Sequence, residues 1–197
     1  SFFSILIFWI LNFNKNFNYL QPFLLIPSAF LLIIHPLFVS NHFLTTDLSP
    51  LFMTHIAIAL LAYSLFTFSA YVAIFILIFE KKLHQKKKID MILSGFQPLI
   101  EMENFLFNIN KIGFILLTIT LLSGILFSEQ LFGTPLQFNH KTVFSILAWL
   151  IYGLLLVGKR LYGWRGRNSI YISLTAFVFL LLSYLGSKFV LEIILHR

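Results

Sequence analysis

Residues 51–79 read LFMTHIAIALLAYSLFTFSAYVAIFILIF, 29 positions without an Asp, Glu, Lys or Arg. A helix rises 1.5 Å per residue, so this run is longer than the about 30 Å of hydrocarbon in a bilayer. It predicts a tilted transmembrane helix that extends beyond the membrane at one end.

The same character continues outward in both directions. Residues 17–34 are uncharged and interrupted by Pro22 and Pro27, which predicts a kinked span. Residues 112–128 and 142–158 are 17 each, close to the shortest run that crosses, and residues 168–187 add 20 more before Lys188 and a second apolar stub. Residues 2–11 are apolar but too few to cross, and they lack the basic start and small-residue cleavage site of a signal peptide. They read as the remnant of a truncated first helix. Residues 92–109 carry Gln97, Pro98, Glu101, Glu103, Asn104 and Asn108 among apolar side chains, a pattern that predicts a helix lying in the cytoplasmic interface. The expected fold is therefore all-α. It is a polytopic transmembrane helical bundle of five complete spans, a truncated N-terminal helix and a cytoplasmic interfacial helix, forming one integral-membrane domain over residues 1–197. Composition agrees: 59% of residues are hydrophobic and 11% charged, with a mean hydropathy of +0.91, where a soluble domain carries about 25% charge.

Charge gives the orientation. Fourteen Lys and Arg stand against seven Asp and Glu, a formal net charge of +7. Five lysines fall in residues 80–90, EKKLHQKKKID, and four basic residues in 159–167, KRLYGWRGR. Residues 35–50 and 129–141 hold almost none. If all five runs cross, the basic loops share one side, which the positive-inside rule assigns to the cytoplasm. That distribution is sufficient cause for the positive charge, and no nucleic-acid surface is implied. Within the second basic loop, two glycines suit a tight turn, two aromatics the interface and two arginines lipid phosphates.

Cysteine is absent, which excludes disulfides, thiolate metal sites, thioether attachment of haem and a cysteine nucleophile. No nucleotide-binding glycine loop, nucleophile elbow or zinc-protease motif occurs, so the chain is expected not to be an enzyme. Of six histidines, His84 lies among lysines and His35 and His42 lie in a loop. His55 is different: with Ser49 as N-cap and Pro50 at the first helical position, it falls in the second turn of a long apolar helix. His140 follows Asn139, a candidate cap, and precedes Lys141. Both would sit near the outer membrane face, where burial and a helix N-terminus favour neutral imidazole, the form that ligates a metal. Two such rings on different helices could hold a haem iron, with Lys141 near its propionates. Each could equally hydrogen-bond across helices. Gly124, Gly153 and Gly186 are the candidate points of close helix contact, and Glu129 either accepts a hydrogen bond from His140 or, the plainer reading, marks the water boundary.

Residues 121–167, LLSGILFSEQLFGTPLQFNHKTVFSILAWLIYGLLLVGKRLYGWRGR, then AFVFLLLSYLGSK at 176–188 and THIAIALLAYSLFTFSAYVAIF at 54–75, resemble the cytochrome c assembly superfamily of membrane proteins, in its HemX-like branch. The resemblance covers residues 50–195. It implies a haem-handling protein of the bacterial inner membrane, in which external histidines flank a tryptophan-rich segment and bind haem for delivery to apocytochrome. Carried onto this chain, the flanking histidines are His55 and His196, and His140 follows the segment. The segment departs from the family pattern: residues 127–139, FSEQLFGTPLQFN, contain no Trp, so stacking on haem would fall to Phe132 or Phe138. Gripping an apocytochrome would require a separate cytochrome c maturation partner. A membrane scaffold that keeps the fold without haem is the alternative, ahead of a transporter, which would need broken polar helices at the midplane.

Overall fold

The computed structural model describes residues 50–84, 99–132 and 139–189. They form four helices: α1, Pro50–His84; α2, Leu99–Phe132; α3, His140–Tyr162; and α4, Arg167–Phe189. All four are long and apolar enough to cross a membrane. The expected span at 17–34, the N-terminal stub, the Ser49 cap, His35, His42, Phe138, Glu192 and His196 lie outside the described residues, as do the side chains of His84, Glu129, Phe132, Gly186 and Lys188.

Apolar helices associate where small and polar side chains let them meet, because lipid is as apolar as they are. The principal contacts are α1 with α2 and α3 with α4, with α1–α4 and α2–α3 closing the ring. Neighbours run antiparallel. His55 meets Ser123 while Ser69 meets Asn110, so a step forward on α1 is a step back on α2. Tyr63 meets Tyr184 while Glu80 meets Arg167 across α1 and α4. The product is an up-down-up-down bundle with one end near His55 and the other near Lys159.

α1 is the most enclosed helix, with 56% of its apolar window buried against 33% or less for the others. Its Leu65, Phe68, Val72 and Ile76 pack on Met102, Leu106 and Ile109 of α2 and Ile170 of α4. Nearer the His55 end, Phe66, Leu117, Ala148, Tyr152 and Leu180 bring all four helices together. Tyr152 stacks on Phe66 at 4.0 Å between ring centroids. The outward faces are apolar too: Ile115, Ile119, Leu122 and Leu126 of α2 and Leu147, Leu150, Leu154 and Val157 of α3 are all exposed. Two helices that offer such continuous aliphatic faces suit hydrocarbon and not water.

One polar device crosses the core. Ser69 Oγ donates to Asn110 Oδ1 at 2.6 Å, and Asn110 Nδ2 donates to Ser173 Oγ at 2.9 Å. Both halves of the amide are paired across α1, α2 and α4, which is what makes a buried Asn tolerable in an apolar medium.

Residues 92–109 correct an expectation. From residue 99 onward there is no separate interfacial helix. The chain is already in α2, which runs unbroken through Lys111 to Phe132. Met102, Leu106, Phe107, Ile109 and Asn110 are buried, and the polar residues of this turn bond to the protein. Glu103 Oε1 accepts from Gly166 N at 2.8 Å, and Asn104 Oδ1 accepts from Lys159 Nζ at 3.1 Å. At Glu103 and Asn104 the polarity serves contacts with the α3–α4 turn.

That turn is tightly built. Gly163 (φ +65°) and Gly166 (φ +77°) adopt the left-handed conformation that glycine takes without strain, and Gly163 caps α3. Trp164 N donates to Gly158 O at 3.3 Å, and the indole lies so close that a Cβ at Gly158 would overlap it. Lys159 sits over the Phe107 ring, 3.5 Å from its centroid. The close-contact glycines are thus Gly158 and Gly113, whose missing Cβ would come within 3.0 Å of Phe66. A Cβ at Gly124 would lie 3.6 Å from His55 and one at Gly153 3.5 Å from Phe114, both ordinary contacts.

Candidate functional site at the His55 end

Pro50 opens α1 with its ring in the first turn, where a missing N–H costs nothing. One turn on, His55 faces α2 and is half-buried. Its Nδ1 lies 2.7 Å from Ser123 Oγ. Phe52, three residues back along α1, stacks on the imidazole at 6.2 Å with an interplanar angle of 17°. Phe127, four residues beyond Ser123 on α2, meets it edge-on at 5.5 Å. The two phenyl rings also meet each other at 5.9 Å. Gly124 faces the Cε1 edge of the ring, where a Cβ would make an ordinary contact at 3.6 Å.

α3 begins at the same end. Asn139 is its N-cap residue by backbone (φ −86°, ψ 156°), and its carbonyl accepts from Val143 N at 3.1 Å, but its side chain does not cap the helix. His140 is exposed at the first position of α3 and has no hydrogen-bond partner among the described residues. Lys141 follows, close enough for its charge to act on the His55 ring. Ser183 of α4 fixes this corner by donating to Lys141 O at 2.8 Å, with Ser145 Oγ 2.7 Å away.

The bundle therefore brings His55 and the α3 N-terminus, with His140 and Lys141, to one end. Three residues of the site escaped the sequence reading. Ser123 and Phe127 sit in an apolar run where nothing marks them off, and only the antiparallel register of α1 and α2 sets them against His55. Phe52 could have been found from its i, i+3 spacing to His55. Stacking was expected from Phe132 or Phe138, but among the described side chains Phe52 and Phe127 flank the imidazole. No group of three or more His, Cys, Asp or Glu converges among the described residues.

The family model for Cytochrome C assembly protein matches residues 1–195. Inner membrane protein YpjD of Escherichia coli (strain K12) is 32% identical over 158 residues, which cover 80% of this chain and 59% of that protein. Cytochrome c biogenesis protein CcsA of Prochlorococcus marinus (strain MIT 9301) is 35% identical over 78 residues, 40% of this chain and 25% of CcsA. The CcsA of Chlamydomonas reinhardtii is 25% identical over 141 residues, 71% of this chain and 38% of that protein. The matched region spans less than two thirds of each of these relatives. No solved structure matches the chain.

Proposed function

The chain belongs to the cytochrome c assembly protein family, and we propose from that premise that it binds haem at the His55 end of the bundle as a non-enzymatic handler of haem for cytochrome c biogenesis. The surroundings of His55 carry the reading. An imidazole half-buried between Phe52 and Phe127, with Lys141 in electrostatic range, offers a nitrogen ligand, apolar walls and a cation for a propionate. Haem would supply an iron that takes an imidazole nitrogen as ligand, and a large apolar ring. The protein's part is to hold it. His55 is the proposed first ligand, and His140 or His196 the second. Phe52 and Phe127 exclude water from the ligand, and Lys141 balances negative charge.

The C-terminal end of α1, which leads into the lysine-rich stretch of the sequence, and the α3–α4 turn lie at the opposite end from His55. With those loops in the cytoplasm, the site faces outward from a bacterial inner membrane. There a separate cytochrome c maturation partner would accept the haem.

The test is an absorbance spectrum of the detergent-purified protein, oxidised and reduced, after expression with added haem precursor. A stoichiometric Soret band that is lost or shifted in His55→Ala is the expected result. His140→Ala and His196→Ala, read separately, identify the second ligand. A folded preparation with no band would overturn the haem reading and leave the membrane scaffold as the better account.

A further inference from the structure

Neutral imidazole has one N–H donor and one lone-pair acceptor, and which nitrogen carries the proton is set by its partner. At His55 that partner is Ser123, whose single hydroxyl proton has three places to go. Oγ lies 2.8 Å from Ile119 O, 3.1 Å from Thr120 O and 2.7 Å from His55 Nδ1. The two carbonyls can only accept. If the hydroxyl donates to them, its lone pair receives a proton from Nδ1, and two hydrogen bonds form in series. If it donates to Nδ1 instead, only that bond forms. The proton then sits on Nε2, which has no acceptor among the described residues and lies in a setting walled by Phe52 and Phe127. Two bonds within the protein prevail over one, and the Nδ1–H form leaves no ring N–H without a partner among the described residues.

We propose that Ser123 is a positioning residue that holds His55 as the Nδ1–H tautomer, so that the Nε2 lone pair is presented to an incoming metal centre. The inference rests on the haem reading for the identity of that centre, the iron of a haem, but not for the tautomer itself. Ser123 works through its own backbone. The carbonyls of Ile119 and Thr120 orient the hydroxyl, and the hydroxyl orients the ring. A ligating histidine whose other nitrogen donates in this way is fixed in rotation and made a better electron donor.

The decisive experiment is a long-range proton–nitrogen correlation spectrum of the full chain, labelled with nitrogen-15 at histidine, ligand-free, in detergent above the pH at which histidine protonates. His55→Gln identifies the His55 signals by their loss. The expected pattern is a protonated Nδ1 and a bare Nε2 in the wild type, lost in Ser123→Ala and restored in Ser123→Thr, which keeps the hydroxyl. Nε2–H in the wild type overturns the proposal without any variant. So does an unchanged His55 pattern in a folded Ser123→Ala protein. In a parallel haem titration, Ser123→Ala should weaken binding about 10- to 100-fold and Ser123→Thr should not. A wild type that shows Nδ1–H but binds no haem overturns the haem reading while leaving the tautomer assignment in place. Haem binding unaffected by Ser123→Ala overturns the positioning role.

Discussion

Two buried polar residues differ in how well the fold answers them. Asn110 is paired at both its amide oxygen and its amide nitrogen, by Ser69 and Ser173, so removing it loses two interhelical bonds and leaves two serine hydroxyls without their amide. Interhelical bonds in membranes are worth about 0.6 kcal/mol on average and up to about 1.7. Asn110→Ala should therefore lower stability by about 1–3 kcal/mol, measured as unfolding in mixed detergent. Tyr152 is buried and its hydroxyl has no partner among the described residues. Its contribution comes from the ring stacked on Phe66. Tyr152→Phe keeps the ring and removes an unpaired polar group, so it should raise stability by about 1 kcal/mol on the same measurement. A loss of stability would mean the hydroxyl is paired.

At the scale of the element, the α3–α4 turn and the start of α2 form one unit. Gly158 makes room for the Trp164 indole, and Gly166 and Lys159 are bonded to Glu103 and Asn104. Gly158→Ala should destabilise by about 1–3 kcal/mol, the usual range for overpacking. Adding Trp164→Ala should make the Gly158 change nearly neutral, because the two changes act at one contact. The continuity of α2 has its own test. Cysteines at Met102 and Leu106 should resist a water-soluble maleimide in the folded protein, since both positions are buried. A helix lying in the interface would leave positions 102 and 106 as open to lipid as the exposed Ile100.

For the whole molecule, four antiparallel crossings place the His55 site and the start of α3 on one side and the α3–α4 turn on the other. Reporter fusions after residue 88 and after residue 165 should show cytoplasmic activity, and a fusion at 136 should show activity only outside. The opposite pattern would move the proposed haem site to the cytoplasmic face and remove it from reach of an external maturation partner.

How much of this was legible depended on how local the signal is. Residues 51–79 declare a membrane helix in the linear chain because hydrocarbon sets a length and forbids charge, and both are properties of consecutive residues. The basic loops predict an orientation from the linear chain as well, through the positive-inside rule. His55 could be singled out because a lone imidazole near the start of such a helix stands out against its neighbours. What the sequence could not declare was partnership. Glu103 and Asn104 read as part of an interfacial helix because their polarity is visible and their partners are not. Gly166 and Lys159 lie more than fifty positions away. Ser123, Phe127 and Asn110 acquire meaning only when α2 is laid antiparallel against α1. In lipid no apolar driving force fixes that register, so hydrogen bonds and close contacts at a few positions decide it, and those exist only in three dimensions.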